Sequence, residues 1–156
     1  SDLLREVLRR GEQREVTVDE ELRVLESYLS ISRRRFGDRL TITVARGDDV
    51  GDALVPFFVL QPLVENALHH GVGSHAGPAN VAVRARRSGK TLVLTVEDDG
   101  PGVNASDTGR GIGLANTRER LSGLYGEAQS LDLGRAPDGG FAVRVELPFH
   151  TTAASR

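Results

Sequence analysis

Apolar positions along the chain change period several times, and each change marks an element. In EVTVDEELRVLESYLSISRRRFG, Leu22, Leu25 and Leu29 repeat at helical spacing, and Thr17 with Glu20 has the spacing of a capping box. A helix is therefore predicted from about Val18 to Arg35. LTITVA then alternates as a strand does. In FFVLQPLVENALHH, Leu60, Leu63, Val64, Ala67 and Leu68 fall on one stripe, the pattern of a helix laid on a core. Pro62 lacks an amide donor, so the regular helix either begins there or bends there. VAVRAR and TLVLTVE alternate around Ser88-Gly89-Lys90 and predict a hairpin. GLANTRERLSGLYG predicts a second short helix, its turns marked by Leu114, Arg118, Leu121 and Leu124 and its stop by Gly126. QSLDLGR and FAVRVELP close the pattern as two strands joined by a turn at Pro137 to Gly140. The sum is an α+β sandwich of two layers, with helices on one face of a mixed, mostly antiparallel sheet.

Composition narrows this further. The 156 residues suit one domain, and a chain of this size buries roughly 70% of the surface its unfolded form exposes. With 20 basic against 22 acidic residues the net charge is -2, and nothing global points to nucleic acid or an anionic membrane. Cysteine is absent, which excludes disulfides, thiolate chemistry and Cys-ligated metal sites. The longest apolar run, Ala53 to Leu60, falls short of the ~20 residues of a membrane-spanning helix and contains Pro56. Ser1 to Arg10 is charged throughout and has no signal-peptide character. The expected setting is cytoplasmic. SDLLREVLRR has no start methionine and already reads as helix, which suits a piece of a longer protein.

Three stretches carry residues suited to a site. Asn66 and His70, counting ~100° per residue, lie about 40° apart on the border of the apolar stripe of their helix. An asparagine there offers a hard carbonyl oxygen suited to Mg²⁺, and an imidazole one turn later can stack on a ring or touch a ribose. Read blandly, Asn66 is a buried hydrogen-bonding residue and His69 and His70 a solvated helix end. EDDGPG, Glu97 to Gly102, puts a carboxylate at a strand end beside backbone bare of side chains, which suits an exocyclic amine. The same letters also make an ordinary turn. TGRGIGLANTRERL alternates Gly109, Gly111 and Gly113 into a helix start, where exposed amides suit phosphate; a ligand-free hinge is the alternative. The dinucleotide fingerprint would need glycine at position 114, which is Leu114. SGKT is no P-loop, because Arg84 stands where that motif needs glycine and a strand follows.

Taken in order, an asparagine helix, a D-x-G-x-G turn and a glycine-rich loop opening a helix resemble the GHKL (Bergerat) nucleotide-binding fold of gyrase, Hsp90, histidine kinase and MutL. LQPLVENALHHG, EDDGPG, GRGIGLANTRERLSGLYG and the upstream EELRVLESYLSISRRRFGDRL are similar to one branch, the catalytic ATP-binding domain of LytS-type sensor histidine kinases. The similarity runs from about Asp2 to Phe149. It implies that Asn66 coordinates Mg²⁺ on the phosphates of ATP, with Glu65 contributing through water. It implies that His70 meets the base or ribose, that His69 reaches a phosphate, and that Asp98 accepts the adenine amino group, with Gly100 and Gly102 shaping that wall. Gly109, Gly111 and Gly113 would close the ATP lid, Leu114 would pack beside the base, and Arg110 would contact a phosphate. The lid, Val103 to Arg110, is short and polar, and is expected to be mobile until nucleotide orders it.

Departures from the family pattern shape the expected chemistry. ATPase members carry a water-activating glutamate four residues before the asparagine; here that position is Pro62, which favours phosphotransfer over hydrolysis. The phenylalanine-rich F box is not evident. His69, His70, His75 and His150 all lack the context of a phosphoacceptor, and Ser1 to Gly11 resembles only the end of the upstream hairpin that carries one. The resemblance thus implies a division into 1–16, the end of that dimerisation helix and a linker; 17–149, the ATP-binding domain; and 150–156, a disordered tail. The implied activity is γ-phosphoryl transfer to a histidine outside this chain and onward to a response-regulator aspartate. The full-length protein would be a homodimer and this fragment a monomer, cytoplasmic, with no nucleic-acid partner. The rival readings are a GHKL serine kinase of the anti-sigma type and a pseudokinase that uses ATP to fix a conformation.

Overall fold

The computed structural model describes residues 14–72, 77–100, 111–137 and 139–152, without the side chains of 70–72 and 111–112. A three-residue strand, β1 (Glu15–Thr17), runs straight into helix α1 (Val18–Phe36). The Thr17 hydroxyl accepts from the Glu20 amide at 3.1 Å, and the Glu20 carboxylate accepts from the Thr17 amide at 2.9 Å. The predicted capping box is therefore complete, and it satisfies donors that a helix start leaves open. A 3-10 turn (Gly37–Arg39) leads to β2 (Leu40–Arg46), followed by β3 (Leu54–Pro56) and helix α2 (Leu60–Asn66). The chain leaves α2 as a wider π turn (Ala67–Val72). Then come β4 (Ala79–Ser88), β5 (Thr91–Asp98), α3 (Gly111–Tyr125), β6 (Ser130–Arg135) and β7 (Phe141–Pro148).

Five strands form the main sheet in the order β2-β4-β5-β7-β6. β2 and β4 are parallel, with Leu40 opposite Ala79, and the segment through β3 and α2 supplies the crossover that parallel pairing needs. The remaining pairings are antiparallel. Gly89, at φ +63, turns the β4–β5 hairpin in a conformation that favours glycine. A second, two-stranded sheet pairs β1 with β3, Val16 opposite Val55.

Alternation along the strands places the core on one face. Val81, Val83 and Ala85 of β4 are buried while Asn80, Arg84 and Arg86 are exposed; Leu92, Leu94 and Val96 of β5 and Val143, Val145 and Leu147 of β7 continue the buried face. Leu25 and Leu29 of α1, Leu63 and Val64 of α2, and Leu114 and Leu121 of α3 cover it. Full burial of each such leucine is worth ~1.5–3 kcal/mol, so this face holds the helices to the sheet. The expected α+β sandwich is the architecture found.

Differences from the sequence-based expectation are local. Strands β1 and β3 have three residues each, too few for alternation to register. Helix α2 starts at Leu60, ahead of Pro62, which occupies its first turn, where an amide would have no helical acceptor. Helix α3 starts at Gly111, two residues before the predicted Gly113, and Gly126 at φ +60 ends it. The two ends of the described body meet: the Tyr125 hydroxyl donates to Glu15 Oε2 at 2.6 Å, His150 Nε2 lies 2.7 Å from the same oxygen, and the Leu54 amide donates to the His150 carbonyl at 2.8 Å. Glu15, Val16 and His150 thus pack with the body, although the sequence-based division leaves them outside 17–149. Residues 1–13 and 153–156 lie outside the described residues. No helix among those described is long and apolar enough to cross a membrane.

Candidate functional site

Strand β5 ends in the acidic turn. Asp98, its last residue, is buried between Val81 of β4 and Phe141 of β7, and its Oδ1 accepts from the Gly100 amide at 2.9 Å. Asp99 turns the other way. Its carboxylate accepts from the Asn80 amide at 2.8 Å and from Asn80 Nδ2 at 2.7 Å, and its own amide donates to the Asn80 carbonyl. Adjacent aspartates are therefore sorted by geometry: Asp99 pins the turn to β4, and Asp98 sits inside it.

The turn is pressed against the β6–β7 connection at Gly140. A Cβ on Gly140 would lie 2.7 Å from the Asp98 carbonyl carbon and 2.8 Å from Asp99 Cα, and closer still to the Asp98 carbonyl oxygen. No side chain fits there. Local sequence marks Gly140 as a turn residue and nothing more; a glycine opposite an acidic strand exit becomes legible only once β5 and β7 are known to pair.

Helix α2 and its π turn pack on β4 and β5 and against α3, which brings the asparagine helix, the acidic strand and the helix after the glycine loop together. Asn66 stands where α2 gives way to the π turn; it is half-buried, and its Nδ2 is buried without a hydrogen-bond partner. Glu65 is half-buried and accepts from Gln61 Nε2 at 3.2 Å. It faces α1: the Tyr28 hydroxyl is pushed up first by burial and then by the Glu65 charge. His69 is exposed on the π turn, and His70 lies in the same turn with its side chain outside the described residues. An i→i+5 turn rotates the chain less per residue than the α-helix assumed from sequence, so the 40° spacing of Asn66 and His70 does not carry over.

In α3, Leu114 is buried. Gly113 contrasts with Gly140: a Cβ there would meet no atom within 4 Å, so packing does not demand its bareness. Gly111 opens the helix. Gly102, Gly109, Arg110 and the rest of the Val103 to Arg110 segment lie outside the described residues. Among those described, no cluster of three His, Cys, Asp or Glu side chains could hold a metal by itself.

One residue of the site region was not anticipated from sequence. The buried stripe of α1 is Val18, Glu21, Leu25, Leu29 and Ser32, so a carboxylate occupies a core position. Glu21 is only 2% exposed, and its two oxygens accept from the amides of Phe58 at 2.9 Å and Leu60 at 3.0 Å. Phe58 adopts φ +64, a strained left-handed conformation for an aromatic residue. Val59, the cap residue of α2, makes no side-chain cap bond, so Glu21 caps α2 from another element. Burial pushes the Glu21 carboxyl up, opposed by the Leu60 and Phe58 amides, the Arg120 charge and the Val59 amide. The signal in the sequence was a glutamate at stripe spacing between Val18 and Leu25, one position before the leucine read as the repeat.

Comparison with known proteins agrees with this geometry. Residues 51–151 match the family described as histidine kinase-, DNA gyrase B-, and HSP90-like ATPase, and residues 1–40 match a histidine kinase family. The chain is 36% identical to the sensor histidine kinase YesM of Bacillus subtilis over 85% of its own length and 24% of that protein's. It is 32% identical to the sensor protein LytS of Staphylococcus haemolyticus over 97% of its own length and 28% of that protein's. The chain thus spans about a quarter of the curated relatives it matches. In fold it resembles the catalytic domain of histidine kinase ThkA, with a TM-score of 0.68 at 16% identity, covering 91% of this chain and 97% of that one. With the asparagine helix, the acidic strand exit and α3 gathered on one side of the sheet, the chain belongs to the histidine kinase-, DNA gyrase B- and HSP90-like ATPase family, as a nucleotide-binding catalytic domain of the sensor histidine kinase type.

Proposed function

We propose that this domain binds ATP with Mg²⁺ and transfers the γ-phosphoryl group to a histidine carried outside this chain, from which it passes to a response-regulator aspartate. In this reading, residues 1–16 are the end of the dimerisation and phosphoacceptor helix with its linker, 17–149 the ATP-binding unit and 150–156 a tail, with Glu15 and Val16 of the linker and His150 of the tail docked on that unit; the full-length protein is a homodimer at the cytoplasmic side of a sensor. The observation that supports it most is the buried Asn66 Nδ2, a polar atom the protein leaves without a partner at the junction of α2 with β5 and α3. Such a donor is held ready for an acceptor such as a phosphate oxygen, with Oδ1 the atom that would face the metal, since a buried donor without an acceptor costs ~1–3 kcal/mol.

The residues fit Mg²⁺ only as part of a metal–nucleotide complex. A single amide cannot supply an octahedral shell, and this ion is commonly held by one or two protein oxygens together with phosphates. When bound, the ion neutralises charge on the β- and γ-phosphates. Everything else falls to the chain. Asp98 accepts the exocyclic amine of adenine, which selects adenine over guanine, and Gly100 keeps side chains off that wall with Gly102. Asn66 orients the phosphates, with Glu65 contributing through water; His70 meets the ribose or base and His69 a phosphate. Gly109, Gly111 and Gly113 let phosphate oxygens reach backbone amides, Arg110 adds a cation, and Leu114 packs beside the base. With Pro62 where an ATPase places its base, water attack is poor, and positioning does most of the work.

The test is transfer. This chain, γ-labelled ATP and Mg²⁺ are mixed with a fragment restoring the upstream hairpin. Acid-labile, base-stable label on that fragment is the expected result. Acid-stable label on a protein hydroxyl would convert the reading to a serine kinase, and ATP binding with no transfer would convert it to a pseudokinase.

A further inference from the structure

The cross-element cap of α2 reaches further than stability. Helix α2 has seven residues, and its last, Asn66, is the site residue. Its position along its own axis is set at the other end. There, Val59 donates to the Pro56 carbonyl at 3.1 Å, Pro62 has no amide to satisfy, and the Leu60 amide is held by Glu21. Glu21 also holds the Phe58 amide, fixing the left-handed residue that turns β3 into α2. The carboxylate is itself fixed: it lies one turn inside α1, behind the Thr17–Glu20 box, and feels Arg120 of α3. Three helices thus converge on one buried side chain, two turns of helix from Asn66.

The geometry points to Glu21 as a positioning residue that sets the depth at which Asn66 meets the metal-bearing phosphates, coupling helix α1 to the nucleotide site. Shifting α1 along its axis moves the anchor of α2 with it, so whatever acts on the chain ahead of β1 has a direct mechanical route to Asn66. Asp98, on the sheet, is not on that route. This rests on the reading of Asn66 as the phosphate-side ligand, and the experiment keeps the two claims apart.

Affinity for ADP is measured in EDTA and again in MgCl₂, for the wild-type chain, Glu21→Gln, Asn66→Ala and the double variant. The wild type should bind ADP in EDTA and gain affinity with Mg²⁺; absence of that gain overturns the role of Asn66, whatever Glu21 does. Given the gain, Glu21→Gln should lower it by about tenfold, or ~1.4 kcal/mol, while leaving affinity in EDTA nearly unchanged. On the Asn66→Ala background the substitution should change nothing further, the non-additivity of residues acting through one another. An undiminished gain in Glu21→Gln, or an equal loss with and without metal, overturns the inference.

A second measurement needs no variant. Coupling is reciprocal, so adding Mg²⁺ to the ADP-bound wild type should slow hydrogen exchange at the Phe58 and Leu60 amides. Exchange at those amides that is the same with and without Mg²⁺ overturns it as well.

Discussion

Two pairs of adjacent carboxylates, Glu20–Glu21 at the start of α1 and Asp98–Asp99 at the end of β5, are organised alike and used differently. In each pair one member is exposed or half-exposed and does a local job. Glu20 closes the capping box with Thr17, and Asp99 clamps Asn80. The other member of each pair is buried. Glu21 commits both oxygens to amides 37 and 39 residues away, so its charge is consumed by the architecture. Asp98 accepts from the Gly100 amide two residues on and stands at the wall proposed to meet the base. A buried carboxylate whose acceptor capacity is filled by another element is a strut. One that braces the turn it begins is placed for a visitor at that turn.

The largest effect should come from breaking the surroundings that hold Asp98. Gly140→Ala forces a methyl into the Asp98 and Asp99 backbone at 2.7 and 2.8 Å. Because the clash is with backbone on both sides, relief requires the strand exit to move. The expected loss is about 3 kcal/mol of unfolding free energy, read by urea denaturation, together with most of the ADP affinity. Wild-type affinity in this variant would separate Asp98 from the nucleotide site.

The comparison within the acidic turn is sharpened by isosteric substitutions. Asp98→Asn replaces a charged acceptor by a neutral one, a difference of ~1.5–3 kcal/mol, so ADP affinity measured by calorimetry should fall ~10- to 100-fold at nearly constant stability. Asp99→Asn should do the reverse: the Asn80 clamp weakens by ~1 kcal/mol, visible in denaturation, and affinity stays within about twofold of wild type. Equal losses of affinity in both variants would show that the turn acts as one unit.

The smallest effect distinguishes the two glutamates by pH. Bonding to Thr17 holds the exposed Glu20 below its ordinary 4.5, so its contribution to stability is present above 4.5 and is lost as pH falls through its lower folded value. Glu21 is pushed above 4.5 by burial, so its contribution is present below 4.5 and is lost as pH rises through its higher folded value. In denaturation series, the stability difference from wild type should therefore vary with pH below 4.5 for Glu20→Gln and above 4.5 for Glu21→Gln. Differences that vary over the same pH range would mean that the two neighbours are not shifted apart.

Much of the fold and of the candidate site is legible in the order of the residues alone. The period of two in β4, β5 and β7 and the period near four in α1 and α3 are direct imprints of a one-sided core, and the Thr17–Glu20 box marks a helix start to the residue. Asn66, Asp98 and the glycines stand out because they are poor building material for the elements that contain them. What escapes depends on chain segments far apart in sequence. Glu21 looks like a solvated helix glutamate until α2 is placed over it, and Gly140 like any turn glycine until β7 is paired with β5. The π turn leaves the same apolar spacing as a short α-helix, and β1 and β3 are too brief for any period. Local patterns record burial; they do not record which distant backbone a side chain will hold.

The meeting of Glu15, Tyr125 and His150 carries a topological consequence. With Glu15 of β1 bound to His150, two residues past β7, and to Tyr125 of α3, the described body behaves as a loop closed by hydrogen bonds. Loss of either partner of Glu15 would open that closure at both ends of the described chain at once.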